Sequence, residues 1–92
     1  MMTEFEVRRR VRDIRSSGEP PSRQARMLLR IGRALKAQLR TLNRAARVSK
    51  ESPDKNAQAT FSRMAQTSQS LREEVRHEAD ELLKPNSRIN VL

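Results

Sequence analysis

Apolar side chains recur every three or four residues along this chain, which is the spacing of one face of an α-helix. A short pattern near the start is followed by two long ones. One of these runs from Leu28 to Ala46, and the other runs from Ala57 to Leu82 with the alternating steps of a heptad repeat. The chain is therefore predicted to be all-α. The apolar positions of the first long pattern are Leu28, Ile31, Leu35, Leu39, Leu42 and Ala46.

Capping residues, glycine and proline divide the chain into three predicted helices. Thr3 begins a Thr-x-x-Glu capping box, and Gly18 with the prolines after it ends the first helix. Ser52 and Pro53 are the predicted capping hydroxyl and first helical position of the last helix. We expect one helical domain over residues 1–84, with helices over residues 3–16, 21–48 and 53–84, and a tail over residues 85–92.

The short polar linker between the two long helices predicts that the third helix folds back on the second. Leu42 would then lie near Phe61 and Leu28 near Val75, so that apolar residues meet along nearly the whole length. The small polar residues 66–70 would cover the second helix poorly. Either the helices come close there or another surface fills the gap, and Gly32 favours close packing.

A two-helix hairpin buries too little apolar surface to be stable alone. The first helix is therefore expected to dock as a third helix, or two chains to pair. The predicted fold is a short N-terminal helix followed by a long antiparallel helical hairpin. It would form a three-helix or coiled-coil-like bundle, and we expect it to be oligomeric.

Charge is distributed unevenly along the chain, whose net charge is +9. Residues 1–50 hold fourteen basic and four acidic side chains, whereas residues 51–92 hold six basic and seven acidic ones. Between Ser22 and Ser49 there are eight cations and no acid, spaced three or four apart on the side opposite the apolar residues. Like charges at this spacing repel by a few tenths of a kcal/mol per pair. Packing of the apolar face can offset this repulsion, and an anionic partner would also stabilise the helix.

Folding the chain back brings acids of the third helix level with the first cations of the second helix, Arg23, Arg26 and Arg30. They also lie level with whichever arginines of the first helix dock nearby, so internal neutralisation is possible at that end. These acids, together with Arg72 and Arg76, are interpreted as a mixed-charge exposed face. The remaining cations have no comparable acids beside them. The predicted nucleic-acid-binding residues are Arg33, Lys36, Arg40, Arg44 and Arg47, with Arg8, Arg9 and Arg12 of the first helix.

Residue types needed for catalysis are scarce. The chain has no cysteine, one histidine (His77) and two glycines, and it has no phosphate-loop or metal-ligand spacing. We therefore predict neither an enzyme nor a metal or cofactor site. Two phenylalanines and no tyrosine or tryptophan offer little base stacking, which favours phosphate contacts to duplex DNA or structured RNA.

No apolar stretch resembles a membrane span or the core of a signal peptide, so a cytoplasmic protein is expected.

Two functional interpretations stay open. In the first, the Arg-rich face binds nucleic acid with little sequence specificity. In the second, the hairpin and the tail residues Ile89, Val91 and Leu92 bind a partner protein, as a helical adaptor, small chaperone or assembly component would. A membrane-surface helix is disfavoured because the apolar face of the basic helix already has a heptad partner and no aromatic anchor.

Overall fold

The computed structural model describes residues 1–84, which form three α-helices and no strand. The two longer helices have 29 residues each and are therefore about 43 Å long. They pack closely against each other as a hairpin. The prediction of an all-α chain with a short helix before a long hairpin is confirmed, and self-association stays a prediction. The helices are α1 (Glu4–Arg15), α2 (Pro21–Ser49) and α3 (Lys55–Leu83).

The first helix begins and ends as its sequence indicates. The Thr3 hydroxyl accepts a hydrogen bond from the backbone N–H of Glu6 at 3.2 Å. After the helix ends, Gly18 has a positive φ of 78°, a conformation that glycine adopts without steric cost. The chain then turns, and α2 begins at Pro21, the predicted position.

The third helix begins two residues later than predicted, and its cap is Asp54 rather than Ser52. The Asp54 carboxylate accepts from the N–H of Asn56 at 3.0 Å. Ser52 is still part of the turn that ends α2, because its N–H donates to the carbonyl of Ser49 at 3.1 Å. Both residues are good caps, and the turn decides between them.

The main hydrophobic core lies where all three helices meet, at the end of the hairpin where α2 begins and α3 ends. We call this the open end, and we call the turn between α2 and α3 the tip. On α2 the core reaches no further than Leu35, and on α3 it begins at Leu71. Helix α1 thus covers only the half of the hairpin nearest the open end. The core residues are Val7, Ile14, Ala25, Leu28, Ile31, Leu35, Leu71, Val75 and Ala79.

Within the polar stretch over residues 66–70, Ser68 is covered by Gln38 and the start of the chain, whereas Gln66, Thr67 and Ser70 are exposed. The Gln38 side-chain amide donates to the hydroxyl of Ser68 and to the carbonyl of Met2, both at 3.0 Å. Its carbonyl accepts from the N–H of Met2 at 2.8 Å. Ser68 is only 2% exposed, so the gap between the helices is filled by another surface.

Gly32 does not mark a close approach of two backbones, and that expectation is wrong. A Cβ atom placed on Gly32 would meet nothing within 4 Å. The residue instead borders an open groove between α2 and α3.

Candidate nucleic-acid interface

The five α2 cations predicted to bind nucleic acid are all exposed and lie on one side of the helix. At about 100° per residue they fall within an arc of about 80°. Met27 and Ile31, which border α1, lie on the other side of α2. The five cations therefore project from the side of the hairpin that is remote from α1.

Helix α3 adds two more cations to this side. Arg72 and Arg76 line the same groove as Arg33 and Lys36, together with one acid, Asp80. No residue of α1 borders this groove. We call the resulting surface the basic face, and it comprises Arg33, Lys36, Arg40, Arg44 and Arg47 of α2 with Arg72 and Arg76 of α3.

Arg72 and Arg76 are not among the predicted binding residues, because the acids around them in the sequence indicated a mixed-charge face. The sequence did contain a signal for their position, because Arg72, Arg76 and Asp80 follow one another at intervals of four residues. It places all three on one side of α3, whereas Glu74 and Glu78 lie on the side that borders α1.

Acids of α3 neutralise α1 instead of α2. Arg8 lies 3.2 Å from Glu74, and Arg15 lies 4.0 Å from Glu78, between the guanidinium nitrogens and the carboxylate oxygens. Within residues 1–84, no cation of the basic face has a carboxylate oxygen within 4.0 Å. The positive charge of the basic face is therefore not compensated by ion pairs in the described part of the chain.

The sequence allowed the α3 acids to neutralise the first three cations of α2, the arginines of α1, or both, and among the described residues only the pairing with α1 occurs. Arg23 pairs instead with Glu19, at 3.5 Å. Arg26 and Arg30 form no ion pair among the described residues. The reason is that α1 takes the acids on its own side of the hairpin.

The structure does not bring the α1 cations together with the basic face. Arg8 and Arg12 line a groove between α1 and α3 on the opposite side of the hairpin. A hydrogen bond to the Glu4 carboxylate, together with the charge of Glu74, raises the pKa of Arg8. Arg9 is exposed on α1. The predicted site is thus divided between two sides of the molecule.

Neither aromatic side chain belongs to the basic face. Phe61 is half-buried on α3, at a seam position that faces α2. Phe5 is 72% exposed, but it lies on α1. The described part of the basic face therefore offers charge and hydrogen-bond donors without a stacking platform.

Other kinds of site find little support among residues 1–84. His77 has a side chain 76% exposed, 3.9 Å from Glu81. The described residues contain no group of three acidic, histidine or cysteine side chains that could hold a metal ion. None of the helices in this part of the chain combines the length and the apolar character needed to cross a membrane.

The surface required by the adaptor interpretation is largely occupied within the hairpin. Leu28, Leu35 and Leu71 are buried in the core. Near the tip, Leu39 and Met64 are half-buried. The tail residues Ile89, Val91 and Leu92 lie outside the described residues, and the adaptor interpretation stays a prediction.

Comparisons with protein-family models, curated proteins and solved structures found no match to this chain.

Proposed function

We propose that this protein binds nucleic acid through phosphate contacts made by the basic face. The observation that carries the proposal is the alignment of seven cations on one side of the hairpin, none of them in an ion pair among residues 1–84. Six of the seven are arginines, whose planar guanidinium groups form paired hydrogen bonds with phosphate oxygens.

The dimensions of the basic face suit a nucleic-acid backbone. Arg33 and Arg47 are fourteen residues apart on one helix, which corresponds to about 21 Å along its axis. One strand of B-DNA presents about six phosphates over that length. The α2 cations therefore extend over a length in which several phosphates are within reach, although a straight helix cannot follow one winding strand along all of it.

Duplex DNA or structured RNA is the favoured ligand. Single strands are bound without sequence preference by grooves that combine cations with aromatic side chains on which bases stack. The basic face has the cations and lacks the aromatic residues. Contacts to phosphates alone also imply little discrimination between base sequences.

A salt titration tests the proposal directly. About five phosphate contacts should lower the affinity for duplex DNA several hundredfold between 50 and 200 mM salt. Fluorescence anisotropy with labelled duplex DNA and duplex RNA measures this dependence. No binding at 50 mM salt, or an affinity that does not change with salt, would contradict the proposal.

Paired charge reversals identify which side of the molecule binds. The double variant Arg40→Glu and Arg44→Glu should lower the affinity at least tenfold and the salt slope by about two, because two phosphate contacts are lost. The double variant Arg9→Glu and Arg12→Glu has the same net charge and changes only α1. It should retain most of the affinity, and an equal loss in both variants would show that net charge alone drives binding.

A further inference from the structure

The groove beside Gly32 differs from the rest of the basic face in being walled by both helices. Arg33 and Lys36 line it from α2, and Arg72 and Arg76 line it from α3. Its volume is about 330 Å³, at the lower end of the range of ligand pockets, which is about 300–1,000 Å³. Four cations and one acid, Asp80, thus surround one small concave space.

The glycine is unfavourable for the helix and has no packing reason in the structure. Glycine inside a helix is less stable than alanine, and outside the adjoining backbone of α2 no atom lies within 4 Å of the position that a Cβ would occupy. A larger side chain at Gly32 would enter the groove, where Leu28, Leu29 and Val75 are the apolar lining residues. Because Gly32 has no side chain, the space between the four cations stays open.

We propose that the groove at Gly32 binds a phosphate group of the nucleic-acid strand, so that the basic face has one specific binding position among its more diffuse contacts. This inference rests on the proposed function and names the position where the strand is held most tightly. Charge complementarity carries it, since four cationic side chains from two helices face one acid. Cations from two helices border this one position, whereas Arg40, Arg44 and Arg47 extend along α2 alone, so a single phosphate in the groove is near several positive charges at once.

Filling the groove without changing the charge tests this proposal. The variant Gly32→Leu keeps every cation and, by helix propensity, should fold at least as well as the natural chain. We expect its dissociation constant for a 20-base-pair duplex to rise about tenfold, the effect of losing one charge-assisted contact. The matched control is Ala34→Leu, which adds the same side chain to an exposed position on the other side of α2 and should bind normally.

A double-mutant cycle separates a binding position from a diffuse field. The double variant Arg72→Gln and Arg76→Gln removes the α3 wall of the groove and should also weaken binding about tenfold or more. Combined with Gly32→Leu, it should cost much less than the product of the two separate effects, because both remove the same bound phosphate. Effects that multiply fully would overturn the proposal. The loss of affinity in the double variant Arg72→Gln and Arg76→Gln can be measured even if Gly32→Leu folds poorly. The two arginines are exposed or half-exposed, so their replacement should not disturb the fold.

The outcomes also distinguish this inference from the proposed function. If the natural chain binds duplex DNA and Gly32→Leu binds equally well, the groove is not a phosphate position and the proposed function stands. If the natural chain does not bind nucleic acid at all, both fail. A competition with polyglutamate, at the same concentration of charge as the duplex, gives the third outcome. If polyglutamate displaces the duplex from the natural chain but not from Gly32→Leu, the groove prefers the carboxylates of an acidic protein. The phosphate assignment is then wrong.

Discussion

At the scale of single residues, Gln38 joins three separate segments of the chain. Its side-chain amide bonds both backbone groups of Met2 and the hydroxyl of Ser68. Ser68 is almost fully buried, so it depends on a protein partner for its hydrogen bond. Gln38 therefore holds the start of the chain over the polar stretch of α3.

Replacing Gln38 should destabilise the fold more than its partial exposure suggests. We expect Gln38→Ala to lower the free energy of unfolding by about 1–3 kcal/mol, because a buried hydroxyl loses its partner. Urea unfolding followed by circular dichroism measures the change. Gln66→Ala is the matched control at an exposed position of α3 and should change stability by no more than a few tenths of a kcal/mol.

A second replacement separates the hydrogen bond from other effects of the substitution. When both side chains are made apolar, as in Gln38→Leu with Ser68→Ala, the buried hydroxyl is removed together with its partner. The stability lost through Ser68 should then return, whereas the share due to the two bonds to Met2 stays lost. If the double variant is less stable than Gln38→Ala, the hydrogen bond to Ser68 is not the reason for the loss.

Local features of the fold could be predicted from sequence where one side chain and its own backbone decide them. Thr3 is such a case, since its capping bond spans three residues. Asp54 was missed because Ser52 is an equally good cap and only the turn after Ser49 shows which is used. Gly32 was misinterpreted because a glycine on a helix is equally compatible with close packing and with open space.

At the scale of helices, the two halves of the hairpin differ in how much they bury. The core of the three helices ends at Leu35 and Leu71. Towards the tip, Leu42 and Ala65 are the only buried apolar residues in the described part of the chain, and Val48 is 70% exposed. The half that carries Arg40, Arg44 and Arg47 is therefore the less protected half.

Hydrogen exchange should show this difference. Backbone amides over residues 39–64 should exchange faster than those over residues 24–35 and 71–79, because fewer apolar contacts are lost when the tip opens. Duplex DNA should slow exchange in the α2 part of the tip, and it should not do so in the double variant Arg40→Glu and Arg44→Glu. Uniform exchange along both long helices would contradict the prediction. Mass spectrometry of exchanged peptides gives the measurement.

The position of α1 could not be predicted from the sequence, and this affected the site. The apolar face of α1 could pack on either side of the hairpin seam, since apolar residues flank it on both sides, Met27 and Ile31 on one and Leu29 on the other. Its docking beside Glu74 and Glu78 separates Arg8 from the basic face. The same choice leaves the opposite groove open, and there Arg72 and Arg76 join the α2 cations. The α2 cations themselves were predictable because helical periodicity alone places them on one side.

At the scale of the whole molecule, the chain is elongated and strongly cationic. Its extents are 62 × 24 × 16 Å, and its radius of gyration is 16.7 Å, compared with about 12 Å for a compact domain of this length. The net charge of +9 is concentrated on α2, whose neighbouring cations repel each other. The fold therefore contains repulsion that either salt or a polyanion can relieve.

Salt should change the melting temperature in opposite directions with and without nucleic acid. For the free protein, raising salt from about 10 to 150 mM shortens the screening length from about 30 to 8 Å. Screening the repulsion along α2, a few tenths of a kcal/mol per neighbouring pair, should raise the melting temperature by about 5 °C. The exposed ion pairs at the open end are weakened by the same salt, but such pairs contribute little.

With excess duplex DNA the low-salt melting temperature should exceed that of the free protein, because a ligand at 100 times its dissociation constant stabilises the native state by about 2.7 kcal/mol. As salt releases the duplex, the two melting curves should converge. The double variant Arg40→Gln and Arg44→Gln replaces two cations by neutral side chains. The melting temperature should then depend less on salt both with and without the duplex, since repulsion and phosphate contacts are removed together. If the melting temperature of the free protein falls with salt, the ion pairs at the open end outweigh the repulsion on α2. The charge of the basic face would then not destabilise the fold.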